Sequence, residues 1–95
     1  MRKSEHIRLD TIFLPWERES IIRTFAAVEG NQLELGELLN QTGLPLELAQ
    51  YHLDYFVRVG VLEVEIVEDQ IIYRMCMEKE IVRLIKDVFD AWYCH

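Results

Sequence analysis

Positive charge is scarce in this chain: among 95 residues, ten Lys and Arg face seventeen Asp and Glu, for a formal charge of −7. Cysteine is scarcer. Cys76 and Cys94 are the only two, too few for a disulfide framework and in keeping with a reducing compartment, where they would be ordinary side chains or one redox-linked pair. Two Pro and four Gly belong to a compact folded chain and not to a linker. No segment approaches the roughly 18 uninterrupted apolar residues that a membrane helix needs. Arg2 and Lys3 are followed by no apolar stretch of the kind a secretion signal carries, so a soluble, cytoplasmic protein is expected. A glycine-rich phosphate loop, HExxH, paired CxxC and a Ser-His-Asp set are all missing, so neither catalysis nor a cofactor is expected.

What is present is an apolar share of 51%, enough for one core in one domain, and an uneven distribution of charge. From Met1 to Arg23 the chain is slightly basic, with Arg2, Lys3, Arg8, Arg18 and Arg23 against Glu5, Asp10, Glu17 and Glu19. From Thr24 to Met77 only Arg58 and Arg74 oppose Glu29, Glu34, Glu37, Glu47, Asp54, Glu63, Glu65, Glu68 and Asp69. The acidity is therefore a property of the middle of the chain.

Residues 1–13 read as a mixed arm without a clear period. Pro15 suits the first turn of a helix, since its missing N–H would have no partner there. Ile21, Ile22, Phe25, Ala26 and Val28 then give an apolar face, and Gly30-Asn31 ends it. Gln32-Leu33-Glu34 is long enough for a lone strand. Leu35, Leu38 and Leu39 mark two helical turns, and Gly43 stops them. Leu48, Ala49, His52, Leu53 and Phe56 recur at helical spacing, and Gly60 is placed as a left-handed cap. Val61–Val67 and Gln70–Cys76 alternate like strands around Glu68-Asp69. The stripe Ile81, Leu84, Ile85, Val88, Phe89 and Trp92 predicts a terminal helix. The spacing thus predicts an α+β fold, mainly α: a helix-turn-helix at about 35–59, a wing at about 61–76 and a terminal helix at about 79–94, all in a single domain over 14–95. Because that last stripe is wider than one contact face, Ile81, Leu84, Ile85, Val88, Phe89 and Trp92 are expected to form a homodimer interface, helped by residues 7–28.

Gly43-Leu44-Pro45, Tyr51-His52-Leu53 and Val59-Gly60-Val61-Leu62 resemble the turn, helix centre and wing lead-in of ArsR-type winged helix-turn-helix regulators. Ile72-Tyr73-Arg74-Met75 resembles their return strand. The order of elements is similar over about 20–93, and the motifs themselves span about 44–75. The resemblance implies transcriptional regulation through duplex DNA, with contacts from Leu46, Glu47, Gln50 and Tyr51 early in the second helix of the motif, and from the wing tip. Gln50 suits adenine, Glu47 suits cytosine N4 and Tyr51 suits a phosphate. Phosphate neutralisation would fall to Arg2, Lys3, Arg8, Arg18, Arg23 and Arg58, assisted by backbone N–H groups near Pro45–Leu48. The family's metal-sensing pattern does not carry over. Residues 36–41 hold no Cys, and Asp87, Asp90 and Tyr93 supply no His, which leaves only Asp90, Cys94 and His95 as three loosely placed zinc donors, so no metal site is expected. The acids argue for an alternative partner, a basic protein bound by an interaction module such as an accessory factor or antirepressor. His52 is expected to be structural, hydrogen-bonded to backbone. Tyr55 is expected to pack while Tyr51 is solvated.

Overall fold

In a computed structural model of the chain, residue 12 and residues 14–93 are described. Helix α1 spans Trp16–Ala27 and is followed by a short 3-10 turn at Glu29–Asn31 and strand β1 at Gln32–Glu34. Helices α2 (Leu35–Thr42) and α3 (Leu46–Val59) form the helix-turn-helix unit. Strands β2 (Leu62–Val67) and β3 (Gln70–Met75) form the wing, and α4 covers Glu80–Tyr93. The expected elements are present to within a residue or two. Of the expected arm, only Ile12 is described, and it is wholly buried in the core of its own protomer. Pro15 stands one position earlier than expected: it precedes the first helical residue with extended backbone, φ −69° and ψ 171°.

Local chemistry explains the boundaries. Glu34 and Glu37 form a reciprocal capping box at the start of α2, each side chain accepting from the other's backbone N–H at 3.3 and 3.2 Å. Gly43 ends α2 at φ +73°, its N–H donating to Leu39 O at 2.8 Å. The end of α3 is a Schellman arrangement: Val61 N–H donates to Phe56 O at 2.9 Å and Gly60 N–H to Val57 O at 3.2 Å, with Gly60 at φ +89°. Glu68 and Asp69 both take positive φ, 51° and 71°, as a two-residue hairpin turn with strand-matched twist requires.

The sheet is antiparallel in the order β1-β3-β2. Its register sorts the residues by face. Leu33, Tyr73 and Val64 share one row on the inner face, while Gln32, Arg74 and Glu63 share the next row on the outer face. Leu33, Leu62, Tyr73 and Met75 are buried against the helices. Phe25 of α1, Phe56 of α3 and Phe89 of α4 are buried at the centre, each stabilising the fold by roughly 2–3 kcal/mol through area removed from water. Towards the wing tip the inner face outruns the core, leaving Val64 and Ile66 exposed.

Helix α4 contributes Val82, Ile85 and Phe89 to this core, with Ile81 packed against its edge. This corrects the expected interface in part, because Ile85 and Phe89 are each only 1% exposed and serve their own protomer. Leu84 and Trp92 remain outside, 51% and 55% exposed, with Val88 half-buried between them. The physical reason is that a stripe spaced three and four apart spans more than 100° of the helix, so one edge reaches the core and the other faces outward.

Candidate nucleic-acid interface

Helix α3 has an inner face of Ala49, His52, Leu53, Phe56 and Val59. Its outer face begins at an N-terminus with no side-chain cap, because the flanking residue is Pro45 and Ala49 N–H is the first to reach back, to Pro45 O at 2.9 Å. The preceding N–H groups of Leu46, Glu47 and Leu48 are thus oriented outward without an intrahelical acceptor, as at any uncapped helix start. Leu46, Glu47 and Tyr51 are exposed around that end, Tyr51 by 65%. Further along, Asp54 and Arg58 are exposed.

Two of the expected contact residues are engaged by neighbours. Gln50 is half-buried, and its side chain hydrogen-bonds that of Tyr73 on β3. Arg58 is exposed, but its guanidinium lies 5.4 Å from the ring centroid of Tyr55. Arg18, expected among the phosphate-contacting residues, is turned to α3 instead. Its guanidinium stacks 3.7 Å from the Tyr55 centroid, and its Nε donates to His52 Nδ1 at 3.0 Å. Arg23 pairs with Glu19 at 3.5 Å. These contacts draw the two α1 arginines to partners within the protomer.

His52 is buried and structural as expected, but its partner is Arg18 and not backbone. Burial first, and then the positive Arg18, push its pKa below the ordinary histidine value of 6.5. The geometry agrees: Nδ1 can accept from Arg18 only in the neutral ring, so a proton there would oppose two donors. Tyr51 meets the His52 ring edge-on at 5.1 Å, which leaves its own hydroxyl end in solvent. Tyr55 is half-buried under the cations, so the two tyrosines divide as expected.

The wing adds little positive charge. Arg74 on β3 is bound to Glu63 on β2 through two hydrogen bonds, that from Nε being 2.9 Å. Glu65, Glu68 and Asp69 are exposed. At the base of the wing Cys76 is buried, and its thiol pKa is pushed up by burial and then by nearby Glu78 and Glu63. A thiol of this kind is a poor nucleophile, which argues against redox chemistry at Cys76. Cys94 and His95 lie outside the described residues. Among the described residues no three His, Cys, Asp or Glu side chains gather as a metal would require, and no helix is long and apolar enough to cross a membrane.

Sequence comparison with family models and with curated proteins finds no match. Comparison of the fold does. HlyU from Vibrio cholerae N16961 aligns with a TM-score of 0.76 at 20% identity, covering 92% of this chain and 89% of that one. The transcriptional repressor BigR from Xylella fastidiosa aligns at 0.71 with 21% identity, over 92% of this chain and 83% of that one. A structure described as a predicted DNA-binding transcriptional regulator from E. coli aligns at 0.72 with 24% identity, over 90% and 84%. The register of the strands, the helix-turn-helix unit and these alignments agree: the chain has a winged helix-turn-helix fold, shared with these three structures.

Proposed function

We propose that the protein is a small homodimeric regulator of transcription that binds duplex DNA through α3. The observation that carries this reading is the presentation of α3. Its uncapped N-terminus and the side chains of Leu46, Glu47 and Tyr51 stand free of the core beside a two-stranded wing. A helix start with free N–H groups favours a phosphate, and side chains in its first two turns are the ones that reach base edges in a major groove. Glu47 then accepts from cytosine N4, and Leu46 offers an apolar contact to a thymine methyl. Tyr51 donates to phosphate, and Arg58 supplies charge at the other end of the helix. Gln50 reaches adenine only by leaving Tyr73. The second copy docks on Leu84, Val88 and Trp92 of α4, with Leu14 and Trp16 as further exposed apolar side chains.

Selection from a random duplex pool at low salt tests this directly. Enrichment of a two-fold symmetric site, with affinity falling steeply as salt rises, is the expected result. Failure to enrich any duplex overturns it.

One observation favours a second reading. The exposed charges of α3 and the wing are Glu47, Asp54, Glu65, Glu68 and Asp69, against Arg58 and Arg74, the latter bound to Glu63. Such a surface repels phosphate and attracts a basic protein, so the fold would serve as an accessory factor or antirepressor. Heparin resin at low salt separates the readings: retention supports DNA, and flow-through supports the protein partner.

A further inference from the structure

Strand β2 is an edge. With the order β1-β3-β2 it pairs only with β3 among the described residues, and the ladder runs unbroken through six pairs from Leu62↔Met75 to Val67↔Gln70. Exposed edges are usually blunted by Lys, Pro, a bulge or a covering loop. Residues 62–67, Leu-Glu-Val-Glu-Ile-Val, contain no Lys, Pro or Gly. Val64 and Ile66 on the inner face are 46% and 72% exposed, which leaves an apolar row that ends in solvent.

The charge on this edge selects what can occupy it. Glu63 and Glu65 lie together on the outer face, and Glu68 and Asp69 form the adjoining turn. Two copies of β2 placed edge to edge would bring these acids together, so the strand is guarded against itself. A strand of opposite sign is favoured for the same reason. The molecule already holds a template for that pairing on the other side of β2: Arg74 sits across the ladder from Glu63 and hydrogen-bonds it. Glu65 faces Ile72 across the same ladder, so its nearest cation is Arg74 on the diagonal, already hydrogen-bonded to Glu63.

We propose that the edge of β2 accepts an extended, basic segment of a partner protein as a fourth strand. The segment alternates Arg or Lys with apolar residues. Its cations stand beside Glu63 and Glu65 on the outer face, and its apolar side chains continue the rows of Leu33, Tyr73 and Val64 and of Ile71 and Ile66 on the inner face. Backbone hydrogen bonds supply affinity and the alternation supplies specificity, as in other strand additions. The site goes beyond the DNA reading, because α3 is left free, and it gives the acidic wing a role under either reading.

The test uses the full chain and a labelled synthetic peptide alternating arginine with valine, followed by fluorescence anisotropy. Saturable binding is expected, weakened about fivefold or more by E65K through reversed charge and by Ile66→Lys through the lost apolar row. The same peptide N-methylated on every amide, which keeps the charge but removes the donors of both strand edges, should not bind measurably. Undiminished binding of the N-methylated peptide would mean charge attraction alone and would overturn strand addition, as would no binding of the parent peptide. Peptide that is displaced by E47K or Asp54→Lys but indifferent to E65K would place it on α3, and would overturn it too. Titrating a selected duplex against E65K in parallel separates the two proposals: DNA affinity should hold or rise, so loss of peptide binding with DNA binding kept concerns only the wing.

Discussion

Helices α3 and α4 are each fourteen residues long, and each buries one face in the common core while leaving large apolar side chains outside. Their outer faces differ. On α3, Leu46 and Tyr51 sit among Glu47 and Asp54, with Arg58 at the far end. On α4, Leu84, Val88 and Trp92 are four residues apart in a single line, flanked by Arg83, Lys86, Asp87 and Asp90, with Lys86 paired to Asp90 at 2.6 Å. A continuous apolar line with balanced charge suits a copy of itself, since like meets like without net repulsion. A broken apolar face with one dominant sign suits a partner of another kind. The same amphipathic plan therefore yields two different surfaces.

The largest expected effect divides the two sides of α4. Phe89→Ala empties the shared core and should cost about 3–5 kcal/mol in urea unfolding. Trp92→Ala should leave the unfolding of the monomer within about 1 kcal/mol while shifting sedimentation from dimer to monomer. Equal loss of stability in both variants would break the distinction between an inner and an outer stripe.

The C-terminal stop of α3 comes next. Gly60 has φ +89°, a Cβ there would collide with the ammonium end of Lys79, and Lys79 Nζ donates to Gly60 O at 3.0 Å. Gly60→Ala should destabilise by about 1–2 kcal/mol. Gly43→Ala, strained in φ but with open space around its Cβ, should cost only about 1 kcal/mol. Reversal of that order would show that Lys79 yields freely.

On the face of α3, Arg58→Ala should weaken binding to every duplex alike by severalfold and reduce the salt slope by about one. Asp54→Asn should strengthen it, because an exposed anion leaves a surface that meets phosphate. Unchanged DNA affinity in both would move the reading towards the protein partner.

The smallest effect concerns pH. His52 has a lowered pKa in the folded state, so the unfolded chain takes up its proton first as pH falls below about 6.5. Stability from this residue is whole above that value and is lost as pH drops through the folded pKa. Thermal unfolding should therefore show a lower Tm at acid pH. His52→Gln, which keeps a hydrogen-bond acceptor for Arg18, should lose less on acidification. A steeper acid loss in the glutamine variant would contradict the neutral, accepting ring.

Sequence made some of this legible and hid the rest for identifiable reasons. Gly43 and Gly60 fixed the ends of α2 and α3 because left-handed backbone leaves few other choices, and alternation fixed the wing because its period is two. The capping box of Glu34 and Glu37 has the right spacing but Glu where Ser or Thr is usual, so the sequence pattern alone does not mark it. The stripe on α4 was legible as a helix but not as two half-stripes, since periodicity gives a direction and not the depth of the core it meets. The contact of Arg18 with His52 and Tyr55 left no local signal. It joins residues 34 positions apart, and a charged residue among Glu17 and Glu19 reads as solvated until α1 is laid against α3.

That contact has a mechanical consequence. One guanidinium clasps an imidazole and a phenol ring on the neighbouring rod, so α1 cannot roll without carrying α3 along. In an assembly whose two halves meet through the outer side chains of α1 and α4, the spacing between the two copies of α3 would be set as by a calliper with a stiff joint.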